Sequence, residues 1–183
     1  MSAILSPHSP LRAVPFRAPT TRLALKSESH SAGPAELDGA WWPRSRDLPG
    51  ELAALADVLD PLWGRIDRIA ANPRNWPVLP SRIFVNGHPL NVGWFTSELD
   101  PHAILLLSST TGRWNLLVIP PETGAVSAAQ LMAAASADTG PPRTATALMT
   151  AEQVRLAAPM AGIDRGGGVL LSHDRDQRRA VGV

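Results

Sequence analysis

Arg44 and Arg46 stand two residues apart, just after the pair Trp41-Trp42 and just before a helical pattern that begins at Leu48. Two guanidinium groups at that spacing in an extended segment can lie on one side of the chain and fork onto a phosphate or carboxylate. The N-terminus of the following helix would present unpaired N–H groups and a positive dipole end to the same anion. Each cation placed there without an anion costs about 0.3–1 kcal/mol. Either a bound ligand or a nearby carboxylate, Asp38, Asp47 or Glu51, must therefore answer the two arginines. The tryptophans pose a related choice. Each can bury about 150–250 Å², which favours core positions, yet neighbours in an extended segment point opposite ways. Trp41 and Trp42 are expected to enter different environments, one of them facing a groove, with Arg113 from a later hairpin adding a third cation.

Other candidates are weaker in pattern. Asp100-Pro101-His102 brings a carboxylate close to an imidazole, the pairing that general acid–base catalysis uses. His88, beside an apolar hairpin face, reads as a histidine at the edge of the core. Neither has a metal-ligand neighbour at short spacing, so no metal and no cofactor is expected. Asn72-Pro73-Arg74-Asn75-Trp76-Pro77 is either a turn pinned by Trp76 or a recognition loop in which Asn72, Arg74 and Asn75 offer donors. No GxSxG, HExxH, P-loop or GxGxxG stretch occurs, and Gly166 to Gly168 follows no predicted strand.

Composition narrows the classes. A chain of 183 residues with 44% hydrophobic and 18% charged content fits one core plus tails. A net charge of +1 gives no long-range field for nucleic acid or an anionic membrane, so any basic function must be local. Nucleic acid is accordingly the least expected partner, ahead of which come a small anionic or planar ligand and an acidic protein; a homodimer stays open. The lack of cysteine removes disulfides, thiolate nucleophiles and thiolate metal sites. Residues 1–19 lack the hydrophobic region of a secretory signal, and no aliphatic run approaches the roughly 20 residues of a membrane span. A cytoplasmic protein without membrane attachment is expected.

These candidates need elements to position them. Leu48, Leu52, Leu55, Leu59 and Leu62 recur at helical spacing, with Asp47 as N-cap, Pro49 in the first turn and Pro61-Gly64 at the end. Asn86-Gly87 supplies the two positive φ angles of a type I′ turn, which sets Val85 opposite His88 and Ile83 opposite Leu90. That register puts Ile83, Val85, Leu90, Val92 and Trp94 on one side, and Pro89 marks the second strand as an edge at that point. Ala103–Ser109 and Arg113–Ile119 form a second hairpin around Thr110-Thr111-Gly112, apolar on both faces and so expected to be central. Thr21–Leu25 and Arg65–Ala71 carry fainter strand signals. Ser127 with Gln130 spaces a capping box for a helix to about Ala137, and Thr150 with Gln153 a short third helix.

The ordered strings LDGAWWPRSRDL, WGRIDRI…NPRNWP, GWF…DPH and RWNLLVIPPET resemble an actinobacterial family of small proteins of unknown function, over roughly Glu36 to Ala137. The resemblance implies a bacterial, cytoplasmic, single-domain protein and carries no activity, ligand or catalytic residue with it. The expectation is an α+β fold: residues 1–19 a disordered tail, 20–140 one domain, 141–183 a weakly structured extension. The domain is a mostly antiparallel sheet of five or six strands with two or three packed helices. Helices cover one face, while the tryptophan segment, a second subunit or a ligand covers the other. The leading function is a non-catalytic binding or regulatory module with a groove of Trp41 or Trp42, Arg44, Arg46 and Arg113. The alternatives are acid–base catalysis by His102 with Asp100, and single-stranded nucleic acid binding.

Overall fold

A computed structural model describes residues 21–27, 36–95, 99–141 and 143–158; the expected N-terminal tail and the Gly166–Gly168 run lie outside the described residues. The strands are β1 (Leu23–Leu25), β2 (Gly39–Trp41), β3 (Arg68–Ala71), β4 (Arg82–Val85), β5 (His88–Trp94), β6 (Ala103–Ser108) and β7 (Gly112–Val118). The helices are α1 (Leu48–Trp63), α2 (Ala125–Ala135) and α3 (Ala145–Ala157). All described strands join one sheet in the order β1-β2-β7-β6-β3-β5-β4. The fold is thus α+β with a mixed sheet, because β2 runs parallel to β7 and β3 parallel to β5 while the other ladders are antiparallel.

Local turn chemistry fixes the two hairpins. Asn86 and Gly87 take φ angles of 48° and 77°, and Val85 pairs with His88, Ile83 with Leu90. Gly112, at φ 134°, closes the β6–β7 hairpin. β5 is an edge at Pro89, as expected: its pairing with β3 starts only at Asn91, so the missing N–H of Pro89 costs no ladder bond, while β4 is the outermost strand of the sheet. One expectation about this hairpin needs correction. Trp94 shares the inner parity of Leu90 and Val92 yet is 56% exposed, because it sits where the strand runs out.

Helices pack on both faces, not one. On the first face Leu48, Leu52, Leu55, Leu59 and Trp63 of α1 meet Ile69, Ile104, Leu106, Leu116 and Val118. On the second face Ala128 and Leu131 of α2 with Leu148 of α3 cover Ala40, Ala103, Leu117 and Ile119. The doubly apolar runs of β6 and β7 follow from this sandwiching. Among the described residues, helices cover the second face mainly over the β1, β2 and β7 end, where α2 and α3 make most of their sheet contacts.

Within α1, Leu62 is 62% exposed and Trp63, four residues after Leu59, closes the apolar stripe instead. Its ring stacks on Trp114 at 4.7 Å, and the Thr111 hydroxyl donates to its carbonyl. Asp47 occupies the N-cap position without a side-chain capping bond. Glu51 stabilises this end differently: its carboxylate accepts from the Arg44 N–H and the Ser45 hydroxyl, tying the preceding turn to the helix.

α2 starts two residues before the expected capping box, with Gly124 as its N-cap, so Ser127 is a buried residue of the first turn. α3 likewise starts at Ala145, where the Thr144 hydroxyl accepts from Ala147 N–H, and Thr150 lies inside the helix. It belongs to the stretch read as a weakly structured extension, yet packs on α2. Glu152 accepts two bonds from Arg155, at 2.6 and 2.8 Å, next to Ser127. The Arg155 guanidinium, then Ser127, hold its carboxyl down to about 2 against the effect of burial. A lowered carboxyl pKa means stabilisation that is complete above the ordinary value near 4.5 and disappears as pH falls toward 2. Glu152→Gln is therefore expected to lower the melting temperature by a few degrees at neutral pH and to match the parent near pH 2. A gap between the two melts that stays constant over that range would contradict this linkage.

Candidate functional site

The site grows out of the join between β1 and β2. Leu23 pairs with Trp41, so Arg22 falls beside Trp42, whose N–H donates to the Arg22 carbonyl at 2.9 Å. The Arg22 side chain completes the clamp: Nε donates to the Trp42 carbonyl at 3.0 Å and Nη2 to the Pro43 carbonyl at 2.6 Å. The guanidinium carbon lies 3.5 Å above the Trp42 ring centroid, a cation–π stack. The two tryptophans point apart, as expected of neighbours in an extended segment. Trp41 is 1% exposed and stacks on Trp76 at 5.5 Å within the α1-side core. Trp42 is half-buried and packs against the α2-side core.

Between this join and α1 lies a cavity of about 230 Å³. Arg22, Arg44, Trp42, Glu51 and Asp57 contribute its polar and aromatic lining, and Ala53 and Ala54 its floor. Thr21 at its rim donates to the Ala54 carbonyl, tying the β1 approach to the helix. Burial first, and then the charge of Arg44, push the Arg22 pKa down, with Glu51 opposing. Two cations thus lie close together in the lining of a small apolar-floored space. The buried Trp42 indole N–H has no hydrogen-bond partner among the described residues.

The remaining sequence candidates fall elsewhere. Arg46 turns away from the cavity, donating to the Asn75 carbonyl at 2.9 Å and to the Glu122 carboxylate at 2.5 Å. The two arginines that flank Ser45 are therefore split, one to the cavity and one to the loop beneath Trp76. Arg113 is five positions along β7 from Val118, the partner of Trp41, and on the opposite face, roughly 17 Å away at strand rise. Asn72 is buried and accepts from the Arg74 N–H, Asn75 Nδ2 donates to the Pro101 carbonyl, and Arg74 is exposed. That loop is held by its own turn and by the Trp76 stack.

The Asp100 carboxylate accepts from the His102 backbone N–H and from the N–H and hydroxyl of Thr146, and these bonds hold the turn and the start of α3. His102 Nδ1 is buried without a hydrogen-bond partner among the described residues. His88 donates or accepts at the Ile66 carbonyl, 3.0 Å away, as a core-edge histidine does. Among the described residues, no group of three or more His, Asp or Glu side chains stands together as a metal site. No described helix is long and apolar enough to cross a membrane.

Sequence reasoning missed Arg22 and Asp57. Nothing local marks Arg22, because its place beside Trp42 depends on pairing two three-residue strands that are far apart in the chain. No curated protein and no solved structure matches this chain. A family model does, over residues 22–135, a span that starts at the arginine clamping Trp42 and ends with α2, and so takes in both walls of the cavity. The chain belongs to a family of unknown function, DUF5994.

Proposed function

We propose that the protein is a non-catalytic binding module that holds a small anionic ligand in the cavity between β1, β2 and α1. The observation that supports this most directly is the closeness of Arg22 and Arg44 in the lining of a partly open cavity beside an indole ring. An anion between the two guanidinium groups removes their mutual repulsion and gains charge-assisted hydrogen bonds in a partly desolvated setting. Glu51, which accepts from the Arg44 N–H, and Asp57 also line the cavity and limit the anion to one that is small, since a larger polyanion would meet their carboxylates. The acid–base alternative has less support, because the Asp100 carboxylate is engaged with backbone groups and Thr146.

Melting temperatures measured with a panel of inorganic phosphate, nucleotides and small carboxylates test the reading. A ligand present at about 100 times its Kd adds about 2.7 kcal/mol, a rise of about 5–10 °C for a domain of this size. Arg44→Gln is expected to remove that rise while Arg46→Gln, whose guanidinium faces Asn75 and Glu122, keeps it. No response from any member of the panel, or an equal response in the Arg44 variant, rules the anion site out.

A further inference from the structure

The second face of the sheet, beyond the reach of α2 and α3, carries a row of side chains that the cavity does not use. Arg113 pairs with Leu107, Leu107 with Arg68, Arg68 with Asn91 and Asn91 with Arg82. Paired positions send side chains to the same face, so five neighbouring strands hold up an alternating line of arginine and neutral residues. Four inter-strand steps of about 4.8 Å make the line about 19 Å long. All three arginines are exposed, and none makes a hydrogen bond or ion pair among the described residues. Two carboxylates act on the row through space without pairing with it: Asp67, which accepts from the Ser109 N–H, on Arg68, and the buried Asp38, which accepts from the Asn115 N–H, on Arg113. A net charge of +1 for the whole chain therefore conceals a local row of three exposed cations, only partly offset by Asp67 and Asp38.

The same face is aromatic. Phe84, two residues after Arg82, is 74% exposed, and the Phe95 ring lies over Gly93, 3.6 Å from where a Cβ would stand. Charge and ring together define the occupant. Guanidinium groups fork onto phosphates, and every unpaired base has a π-face that can stack on an exposed ring. An acidic peptide would meet the guanidinium groups, and the free edge of β4 where the row ends at Arg82, but would leave the exposed Phe84 ring without a stacking partner. A duplex hides the base faces that Phe84 and Phe95 could meet. We infer that this half of the sheet is a docking platform for single-stranded nucleic acid, read through its phosphates and base faces and not by sequence. It is independent of the anion cavity, which lies at the other end of the sheet.

Fluorescence anisotropy of a labelled single-stranded oligonucleotide of about 12 nucleotides, titrated with the full chain, tests the platform. Three phosphate contacts give a slope of about −2 for log affinity against log salt, a loss of about 20-fold between about 50 and 200 mM. The triple variant R68Q/R82Q/R113Q is expected to lose binding and that salt dependence, and Phe84→Ala to weaken binding about 10-fold. These side chains are exposed, so unchanged melting curves verify that the variants fold. Arg44→Gln is expected to bind the oligonucleotide as the parent does, which separates failure of this proposal from failure of the cavity reading. Absence of binding, binding unchanged in the triple variant, or equal competition by duplex or by poly-glutamate overturns it, the last result pointing to an acidic protein as the partner.

Discussion

Trp41→Ala is expected to lower stability by about 3–5 kcal/mol, about 6–20 °C in melting temperature for a domain of this size. Trp41 is the one residue of β2 that couples three parts of the fold. Its backbone pairs with Leu23 and Val118, and its carbonyl accepts from the Ile119 N–H. Its ring is 1% exposed and stacked on Trp76, which in turn anchors the loop whose Asn75 carbonyl receives Arg46. Alanine leaves a cavity bordered by rigid strands, which cannot collapse to fill it. A double-mutant cycle with Trp76→Ala is expected to be non-additive, because the second truncation removes a ring that has already lost its partner. Trp42→Ala serves as the control. Its ring is half-buried and its loss should cost less in stability while releasing Arg22 from its stack. Denaturant unfolding that finds Trp41→Ala no more damaging than Trp42→Ala would show that the division of the pair between core and cavity is wrong.

Gly39→Ala is expected to cost about 3 kcal/mol and to detach β1. A Cβ at Gly39 would stand 2.2 Å from the Ala24 carbonyl oxygen and 2.9 Å from the Leu25 Cα, both backbone atoms that no rotamer change can move. Something must yield, and β1 is the part able to do so. It is a three-residue edge strand, attached through its pairing with β2, the Lys26–Glu36 ion pair and the Arg22 clamp. Once it lifts, Arg22 leaves Trp42 and the cavity loses one wall. Loss of hydrogen-exchange protection at Ala24 and Lys26, whose N–H groups face β2, with β6 and β7 still protected, is the expected signature, together with loss of any anion-induced rise in melting temperature. Retained protection at both amides would mean that the β1–β2 approach is looser than its geometry implies.

The two effects share a cause. β1 and β2 are too short to hold their places by themselves, and the cavity exists only because the hydrophobic anchoring of Trp41 and the close approach at Gly39 keep them together. Stability and the proposed binding function are thus coupled at this join. The arginine row, by contrast, stands on exposed positions of strands whose inner residues carry the core, so its removal is expected to leave stability unchanged.

What could be read from the residues alone was whatever short-range chemistry determines. The Asn86-Gly87 turn dictates its register because few other residues accept two positive φ angles. The leucine spacing dictates α1 because a helix repeats every 3.6 residues. The doubly apolar runs of β6 and β7 dictate a central place because both of their faces must be covered. The opposite directions of Trp41 and Trp42 follow from the alternation of an extended chain.

Long-range pairing decided the rest. Three residues of β2 show no period that identifies a strand, so its parallel insertion beside β7, and β1 beside it, became visible only in the assembled sheet. That assembly put Arg22 in the site and took Arg46 out of it, since a guanidinium goes to whichever carbonyl or carboxylate tertiary packing brings within reach. It also distributed the helices over both faces, left half of one face without a described helix, and lined up Arg68, Arg82 and Arg113 from three separate strands. The sequence contains each of those arginines, but their common row is a property of strand order, which depends on contacts between residues far apart along the chain.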